Sequence, residues 1–521
     1  MKYQLIKGEE FRQSVVVINE YDDNFSDAFI TKLSFTDEVA PKGVKVTDLS
    51  NDKDGSVVGW KEDGVYKVST QTKEQKVIFN EDCKCMFKNG YFGEEYRTFK
   101  EIDFAMIDTS NVVDMSEMFS GCEELEKLDL SNFDTSQITE MVEMFYDCCG
   151  LISLHLNNFD TSKVENMSKM FSCCKILKEL NLSNFDTSNV KDMSEMFAWC
   201  GNLKELDLSN FDTSNVKDMA AMFWECIHLE KLDLSHFNTN RVVNMQKMFG
   251  ECENLRSIDL SSFDTSKVKN MESMFTVCGN LESLDLSRFD TSKVADMSEM
   301  FADCQKLKGL YLNNFDTSNV KSMYGMFAGC KRLKVLDLSY FSTSKVTNMR
   351  SMFDECLDLT NLDLSDFDTK NVIYMDKMFY ECENLQKLDL SSFDTSNVED
   401  MSYMFSFCKN LRSLDLSHFD TTKVTYTPDI FSDCDDLIDK THFPSIQGMF
   451  YETNKLTREG LNILDECILS KFKETKNGES KKSLIYENVN PKNLKMKDSK
   501  TKEDKENSFH SLDDSDNDIP F

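Results

Sequence analysis

Aspartate recurs at one fixed position through most of this sequence, at intervals of 26 residues or a multiple of 26. The row consists of Asp103, Asp129, Asp207, Asp233, Asp259, Asp285, Asp337, Asp363, Asp389 and Asp415. If successive copies stack as parallel strands, neighbouring carboxylates lie roughly 4.8 Å apart and repel one another unless other groups offset them. The row therefore indicates either a solvated acidic face or a surface for a cation or a basic partner.

A metal site is the weaker interpretation of this row. Ca²⁺ needs about six to eight converging oxygen ligands, and a flat ladder supplies few, so we expect no metal and no other cofactor. A protein or glycan partner is the stronger hypothesis, because parallel side chains on a solenoid sheet form an extended binding surface. We predict that the members from Asp129 to Asp415 form this surface. His155, Asn181 and Tyr311 interrupt the row, either as local contacts or as neutral substitutions.

A second row of aspartates belongs to the recurrent sequence FDTS and is predicted to be structural. Its members are Asp134, Asp160, Asp186, Asp212, Asp264, Asp290, Asp316, Asp368, Asp394 and Asp420. An aspartate side chain at the start of a turn accepts hydrogen bonds from backbone N–H groups about two residues further on. We therefore expect each of these carboxylates to cap its own turn.

The residue types give no support for catalysis. The histidines are His155, His228, His236, His418, His442 and His510. Their spacing is not that of a metal site or a catalytic triad. The sequence contains no phosphate-binding loop, nucleophile elbow or HExxH motif. We predict no enzymatic activity, and an enzyme within residues 1–98 is the least favoured alternative.

The aspartates belong to a repeat of 26 residues, seen clearly at 203–228 as LKELDLSNFDTSNVKDMAAMFWECIH. Leu206 and Leu208 are two residues apart and point to one side of a short strand, while Asp207 points to the other side. In the segment 219–226, Met, Met, Phe and Cys have the i, i+3, i+4, i+7 spacing of a short helix. Each copy is therefore predicted to contain a strand, a turn and a helix.

Thirteen copies follow one another between residues 99 and 436 without insertion or deletion. Their first residues are Phe99, Leu125, Leu151, Leu177, Leu203, Leu229, Leu255, Leu281, Leu307, Leu333, Leu359, Leu385 and Leu411. One copy cannot bury its apolar face alone, so the copies must stack. The predicted fold class is α/β: a leucine-rich repeat solenoid of thirteen coils, each with a short parallel strand, a turn and a short helix.

The repeated pattern LxxLDLSxFDTSxVxxMxxMFxxC resembles the BspA-like leucine-rich repeats common in bacterial surface proteins. The resemblance covers about two thirds of the chain. It implies a leucine-rich repeat fold and a binding or adhesive role without enzymatic activity. It does not identify a ligand.

Composition restricts the partners and the location. With 92 acidic and 59 basic residues the net charge is -33, which repels nucleic acids and anionic membranes. Of the 18 cysteines, thirteen occupy one repeat position from Cys122 to Cys434, a row of buried thiols that fits a reducing compartment. We identify neither a signal peptide nor a membrane span. These features predict a cytoplasmic protein, whereas the family resemblance implies a surface or secreted one.

Residues 1–98 are predicted to form a β-rich amino-terminal cap, with a separate ligand-binding module as the alternative. SVVVI at 14–18 is strand-like, and Asp63-Gly64 predicts a hairpin in which Trp60 and Tyr66 pair across the strands. This cap would cover the open sheet edge at Phe99.

A carboxy-terminal cap is predicted at 437–474, with a closing helix over 457–474. From residue 475 to residue 521 the composition cannot support a core and predicts a disordered tail. The lysines within 471–505 favour a solvated linker over a nucleic-acid patch, because acidic residues are interspersed and no aromatic platform accompanies them.

The last nine residues resemble the acidic tip of bacterial single-stranded DNA-binding proteins, which presents aspartates and a terminal Pro-Phe to replication and repair enzymes. The residues of this motif are Asp513, Asp514, Asp516, Asp518, Ile519, Pro520 and Phe521. The resemblance implies an alternative function, an intracellular adaptor whose tail engages partners of single-stranded DNA-binding protein. The leading prediction remains a non-enzymatic interaction or adhesion scaffold that uses the repeat sheet.

Overall fold

The computed structural model describes residues 2–15, 30–89, 99–412, 414–416, 418–425, 430 and 431. The chain divides into two units, Met1–Lys471 and Phe472–Phe521, and all described residues belong to the first. The predicted carboxy-terminal cap with its helix, the predicted disordered tail and the DIPF motif lie outside the described residues, as does part of the thirteenth repeat.

The described elements are one helix and twelve short strands. In chain order they are α1 (Gly8–Val15), β1 (Lys32–Thr36), β2 (Thr47–Asp48), β3 (Val58–Glu62), β4 (Val65–Ser69), β5 (Val77–Ile78), β6 (Glu101–Asp103), β7 (Ile107–Asp108), β8 (Lys127–Asp129), β9 (Ser153–His155), β10 (Glu179–Asn181), β11 (Ser283–Asp285) and β12 (Gly309–Tyr311).

The amino-terminal segment builds a five-stranded sheet in the order β2-β3-β4-β1-β6. β1 lies parallel to both β4 and β6, and β6 is the strand of the first repeat. One edge of the first repeat strand is thus paired with β1 and is not open to solvent. Phe11 of α1 and Phe35 of β1 pack with Phe87 beneath this sheet.

The hairpin predicted from Asp63-Gly64 is present as β3 and β4. Both turn residues have positive φ, 49° and 79°, as a two-residue type I′ turn requires. The register places Trp60 opposite Lys67 and not opposite Tyr66, so the predicted ring pair is wrong. Because side chains alternate along a strand, this offset of one residue puts the two rings on opposite faces.

The strand predicted at 14–18 is also wrong for the two residues that the structure describes. Ser14 and Val15 close helix α1. Phe11 and Val15 are both fully buried, and their i, i+4 spacing places them on one face of the helix. Residues 16–18 lie outside the described residues.

The strand half of the repeat is confirmed. β8, β9 and β10 form a parallel sheet whose register pairs residues 26 apart, such as Leu128 with Leu154. β11 and β12 pair in the same way, and single parallel bridges such as Glu205 to Lys231 continue the pattern elsewhere. Along a different side of the coils, a further row of parallel bridges runs from Asp114 to Asp400 in steps of 26 residues.

The helix predicted in each repeat is wrong for the first twelve repeats; most of the equivalent segment of the thirteenth lies outside the described residues. The segment 115–122 and its equivalents form a chain of tight turns, here called the turn ribbon. Glu117 and Gly121 have φ of 57° and 72°, which no α-helix contains, and later coils repeat this pair. The backbone N–H groups alternate in their use: Met118 donates to Met115 within the turn, whereas Glu117 donates to Val142 of the next coil.

The periodicity of the ribbon explains why it looked helical. Its turns repeat every four residues, and two of each four side chains point inward. Positions i, i+3, i+4 and i+7 therefore face the core in this ribbon, as they do in a helix of 3.6 residues per turn. Every second N–H group of the ribbon donates to the neighbouring coil, whereas the N–H groups of a helix donate within the helix.

The interior consists of columns of identical side chains. One column stacks the rings of Phe119, Phe145, Phe171, Phe197, Phe223, Phe249, Phe275, Phe301, Phe327, Phe353, Phe379, Phe405 and Phe431. Consecutive ring centroids lie 5.5–6.0 Å apart. Leucine, valine, methionine and cysteine columns fill the remaining core. Full burial of one such side chain contributes roughly 1.5–3 kcal/mol, so packing between coils holds the solenoid together.

Candidate functional site

The predicted aspartate row lies on the outer side of the repeat strands, and all its members from Asp129 to Asp415 are exposed. We call this surface the acidic sheet face. Its residues are Asp129, Asp207, Asp233, Asp259, Asp285, Asp337, Asp363, Asp389 and Asp415. The structure thus brings the predicted site residues into one line along the solenoid.

These carboxylates have a structural role that the sequence interpretation did not give them. In the first eight, Oδ1 accepts a hydrogen bond from the backbone N–H of the serine two residues on, at 2.9–3.1 Å. Asn181, which interrupts the row, makes the same bond to Ser183 at 3.0 Å. Each side chain therefore caps the turn that follows its strand.

The capping bonds keep the face charged. The serine backbone N–H, followed by its hydroxyl, lowers the pKa of Asp129, Asp207, Asp233, Asp259, Asp363 and Asp389. For Asp285 and Asp337 the hydroxyl of the following serine is the larger cause of the lowered pKa. A hydrogen bond to the ionised form stabilises that form. The face is thus a row of ionised and conformationally fixed carboxylates at neutral pH.

The second row, in FDTS, caps its turns as predicted. Oδ1 of Asp134 accepts from the N–H of Ser136 at 3.0 Å, and the later copies repeat this bond. The neighbouring threonine adds a link between coils: the hydroxyl of Thr135 donates to the backbone carbonyl of Asp160 at 3.0 Å.

A third capping row was missed from the sequence. It precedes the first methionine of each turn ribbon, where Oδ1 of Asp218 accepts from the N–H of Ala220 at 2.9 Å. Asn244 and Asn270 do the same in the next two coils. The signal was available, because Asp or Asn stands before that methionine in most copies. Most coils therefore have three capped corners.

Two exposed apolar side chains lie on the outer side of the repeat strands in adjacent coils: Tyr311 interrupts the aspartate row, and Val335 stands two residues before Asp337 in the neighbouring outward column. Tyr311 is 56% exposed and Val335 is 69% exposed. A Cβ added at Gly309 would lie 3.7 Å from two atoms of the Tyr311 side chain, so the ring lies beside this glycine on the strand surface. Asp285 is the register partner of Tyr311 in the neighbouring strand. The patch is thus an aromatic and aliphatic island in and beside an acidic row.

The turn ribbon carries carboxylates whose pKa is raised, in contrast to those of the acidic sheet face. Burial raises the pKa of Asp354 to about 6, and its Oδ1 has no hydrogen-bond partner. Burial likewise raises the pKa of Asp376, although Arg350 Nε donates to its Oδ2 at 2.6 Å. These groups destabilise the ribbon when ionised, unlike the aspartates of the acidic sheet face; burial also raises the pKa of Asp218, a cap in the third row.

The cysteine column lies in the core. The thiol of Cys148 donates to the backbone carbonyl of Phe119 at 3.1 Å, and equivalent bonds recur along the column. Desolvation by burial raises the pKa of these thiols, to about 12 for Cys226 and Cys304. The column therefore packs as small apolar side chains and does not present thiolates.

In the described part of the chain, no group of three or more His, Cys, Asp or Glu side chains is placed to hold a metal ion. Within the same residues, no helix has the length and apolar character needed to cross a bilayer.

The fold and the exposed columns define a class: a parallel solenoid of leucine-rich repeats, an architecture that presents an extended surface for interaction. The family profile described as "Mycoplasma protein of unknown function, DUF285" matches residues 81–205, 150–254, 192–283, 278–387 and 357–462. The chain belongs to this family. No curated protein sequence matches it.

Solved structures give distant likenesses. A leucine-rich repeat protein from Eubacterium ventriosum is 15% identical, with a TM-score of 0.28, over 59% of this chain and 95% of that chain. The TLR13–ssRNA13 complex contains a chain that is 17% identical, with a TM-score of 0.22, over 66% of this chain and 57% of that chain.

Proposed function

We propose that the chain is a non-catalytic scaffold that binds a protein partner with a basic surface through its acidic sheet face. The observation that carries this proposal is the row of exposed carboxylates, eight of which are fixed by a backbone hydrogen bond, as in Asp207, Asp233 and Asp259. Fixed side chains lose little rotamer entropy on binding, and a row of one charge steers a partner of the opposite charge.

The island at Tyr311 and Val335 offers apolar surface for a partner to bury, which the charged row does not. Charged residues at the rim of an interface affect the association rate more than the affinity, whereas buried tyrosines are frequent at the centres of interfaces. Asp285 and Asp337 lie beside the island. We propose that the partner places an apolar group on Tyr311 and Val335 and cationic groups on these aspartates.

The chain itself indicates how to remove the charge without removing the cap. Asn181 caps its turn as the aspartates do, so Asp→Asn at this position preserves the fold. The experiment uses the full chain as bait for proteins from cell extract, followed by binding measurements with each recovered protein in purified form. The test variant is Asp285→Asn/Asp337→Asn/Asp363→Asn, and a second variant is Tyr311→Ala/Val335→Ala.

The matched control changes the same charge on the second row, as Asp264→Asn/Asp290→Asn/Asp316→Asn. Asn238 occupies that position naturally and retains its capping bond at 3.2 Å. We expect both test variants to lose a basic partner that the wild type and the control variant retain. A partner that binds all four proteins equally would refute a role for the acidic sheet face.

A further inference from the structure

A row of cations runs along a different side of the solenoid, although the chain as a whole carries a net charge of -33. In the segment 215–217 of the repeat, the middle valine is buried and the two flanking side chains point outward. Seven consecutive coils, from that of Lys191 to that of Lys345, each carry a cation at one or both outward positions, and the coil before them carries Lys163 beside Glu165. We call this row the basic stripe: Lys191, Lys217, Arg241, Lys267, Lys269, Lys293, Lys321 and Lys345, all of them exposed.

The stripe is largely free of ion pairs within the described residues. Lys191 pairs with Glu165 at 2.5 Å, but none of the other seven forms an ion pair with a described carboxylate. Several are held in place by neutral groups of the preceding coil. Arg241 Nη1 donates to Asn215 Oδ1 at 2.9 Å, and Lys345 Nζ donates to Asn319 Oδ1 at 2.6 Å. Their positive charges are therefore available to a ligand.

At the centre of the stripe, in the coils of Arg241 and Lys267, three of the four flanking corners carry asparagine and the fourth is Asp264. The coil of Arg241 has Asn238 on one side and Asn244 on the other, where most other coils have at least one aspartate. The next coil has Asn270. All three retain the capping hydrogen bond, at 2.9–3.2 Å. The asparagines thus preserve the fold while removing the carboxylates that would repel an anion.

We propose that the basic stripe binds a single linear chain of an anionic polysaccharide, laid along the solenoid axis. The cations recur once per coil, roughly every 4.8 Å, which suits a polymer with regularly spaced negative groups. The two outward columns are roughly 7 Å apart. Asp264 and Asp290 remain exposed beside the columns, so the ligand must be narrow.

This geometry disfavours other polyanions. A DNA or RNA duplex, with grooves about 6–12 Å wide, would press its phosphates against those flanking aspartates. Single-stranded nucleic acid binds on aromatic platforms, and the two outward columns contain no aromatic side chain between residues 189 and 345. An acidic peptide would seek unpaired backbone groups, but Lys217 N–H already donates to Lys191 and Lys269 N–H to Val243.

The neutral side chains of the same columns favour a sugar polymer. Around and past Lys345 the columns form an open groove lined by Thr347, Asn371 and Asn397 and by the cations Lys321, Lys345 and Lys423; Ile373 and one carboxylate, Glu399, complete its lining. Hydroxyl, amide and ammonium groups together match a chain that carries both hydroxyl and carboxylate or sulfate groups. A polymer with a charge on every unit, such as polyphosphate, would leave the neutral groups unmatched.

The test uses the full chain and a heparin-derived oligosaccharide of defined length as the probe, with binding measured at several salt concentrations. Arg241→Gln/Lys267→Gln/Lys293→Gln removes three cations of the stripe. Lys127→Gln/Lys231→Gln/Lys387→Gln removes three exposed lysines of the repeat strands and is the matched control. We expect the first variant to bind about tenfold more weakly, with a salt slope smaller by about two, and the control to match the wild type.

A second variant leaves every cation in place. Asn238→Asp/Asn244→Asp/Asn270→Asp restores carboxylates found in other coils, and it should also weaken binding of the probe. Polyglutamate, polyphosphate and a thymidine oligonucleotide of equal charge serve as competitors. Equal losses in the test and control variants, unchanged binding in both test variants, or tighter binding of any competitor than of the oligosaccharide would overturn the proposal.

Discussion

The acidic sheet face and the basic stripe lie on the same coils and share one period, yet their charges relate to the fold in different ways. Each aspartate of the face caps a turn, so charge and structure depend on one side chain. The cations of the stripe point outward from a segment whose backbone is already bonded to the next coil. Substitutions in the stripe therefore remove at most exposed side-chain bonds to the preceding coil, such as those of Arg241 and Lys293. Substitutions in the face can remove a turn cap together with the charge, so they are made to asparagine, which keeps the cap.

The largest effect on stability should come from a substitution in the phenylalanine column, the core that supports both surfaces. Phe275 lies between the rings of Phe249 and Phe301, at 5.5 and 6.0 Å. Phe275→Ala leaves a cavity and should lower the free energy of unfolding by about 3–5 kcal/mol, measured by urea denaturation. Val335→Ala, on the surface, should stay within about 0.5 kcal/mol. Equal effects of the two variants would contradict the stacked core.

The turn ribbon is the part of each coil that carries neither the acidic sheet face nor the basic stripe. One substitution distinguishes this ribbon from a helix. Gly325 has a φ of 55°, and an added Cβ would meet no atom closer than 3.4 Å. Gly325→Ala should destabilise the chain by about 1 kcal/mol because the left-handed region disfavours alanine. In a helix the same change would stabilise by about 1 kcal/mol.

Gly279 is the control for that measurement. Its backbone is not in the left-handed region, and an added Cβ meets nothing within 4 Å. Gly279→Ala should be neutral, or stabilising by about 0.5 kcal/mol, through the unfolded state. A stabilising effect at Gly325 would restore the helix prediction.

Asp354 should show a pH dependence opposite to that of the aspartates on the acidic sheet face. Burial raises its pKa to about 6, so the folded chain holds a proton that the unfolded chain releases near pH 4. Stability is then lost as pH rises from about 4 to about 6. Asp354→Ala should stabilise by about 1 kcal/mol at pH 7 and have no effect below pH 4. Ala302 and Ala328 occupy the same repeat position.

The smallest effect is expected on the acidic sheet face itself. The Ser287 hydroxyl and N–H lower the pKa of Asp285, so its contribution to stability is present above about pH 4 and lost as pH falls through the folded pKa. Asp285→Ala should destabilise by about 0.5 kcal/mol at pH 7, and Asp285→Asn should be close to neutral. If both variants unfold at the same urea concentration, the capping bond contributes nothing.

The strands, the stacking and the position of the acidic row followed from the sequence, because two leucines two residues apart fix which side of a strand is buried. The turn ribbon did not, since four-residue turns and a helix bury the same positions. The sequence predicted that the row containing Asp207 is exposed. It predicted a capping role only for the row containing Asp212, although both rows cap turns. The basic stripe was hidden because its cations alternate between two columns and the net charge is strongly negative.

The most direct test of this account crosses two probes with two variants of the full chain. The probes are an oligoarginine peptide and the heparin-derived oligosaccharide. The variants are Asp233→Asn/Asp259→Asn/Asp285→Asn and Arg241→Gln/Lys267→Gln/Lys293→Gln. We predict that the first variant binds the peptide more weakly and the oligosaccharide as the wild type does, and that the second variant binds the oligosaccharide about tenfold more weakly and the peptide as the wild type does. Loss of both probes in either variant, or of neither in both, would contradict two independent surfaces on one scaffold.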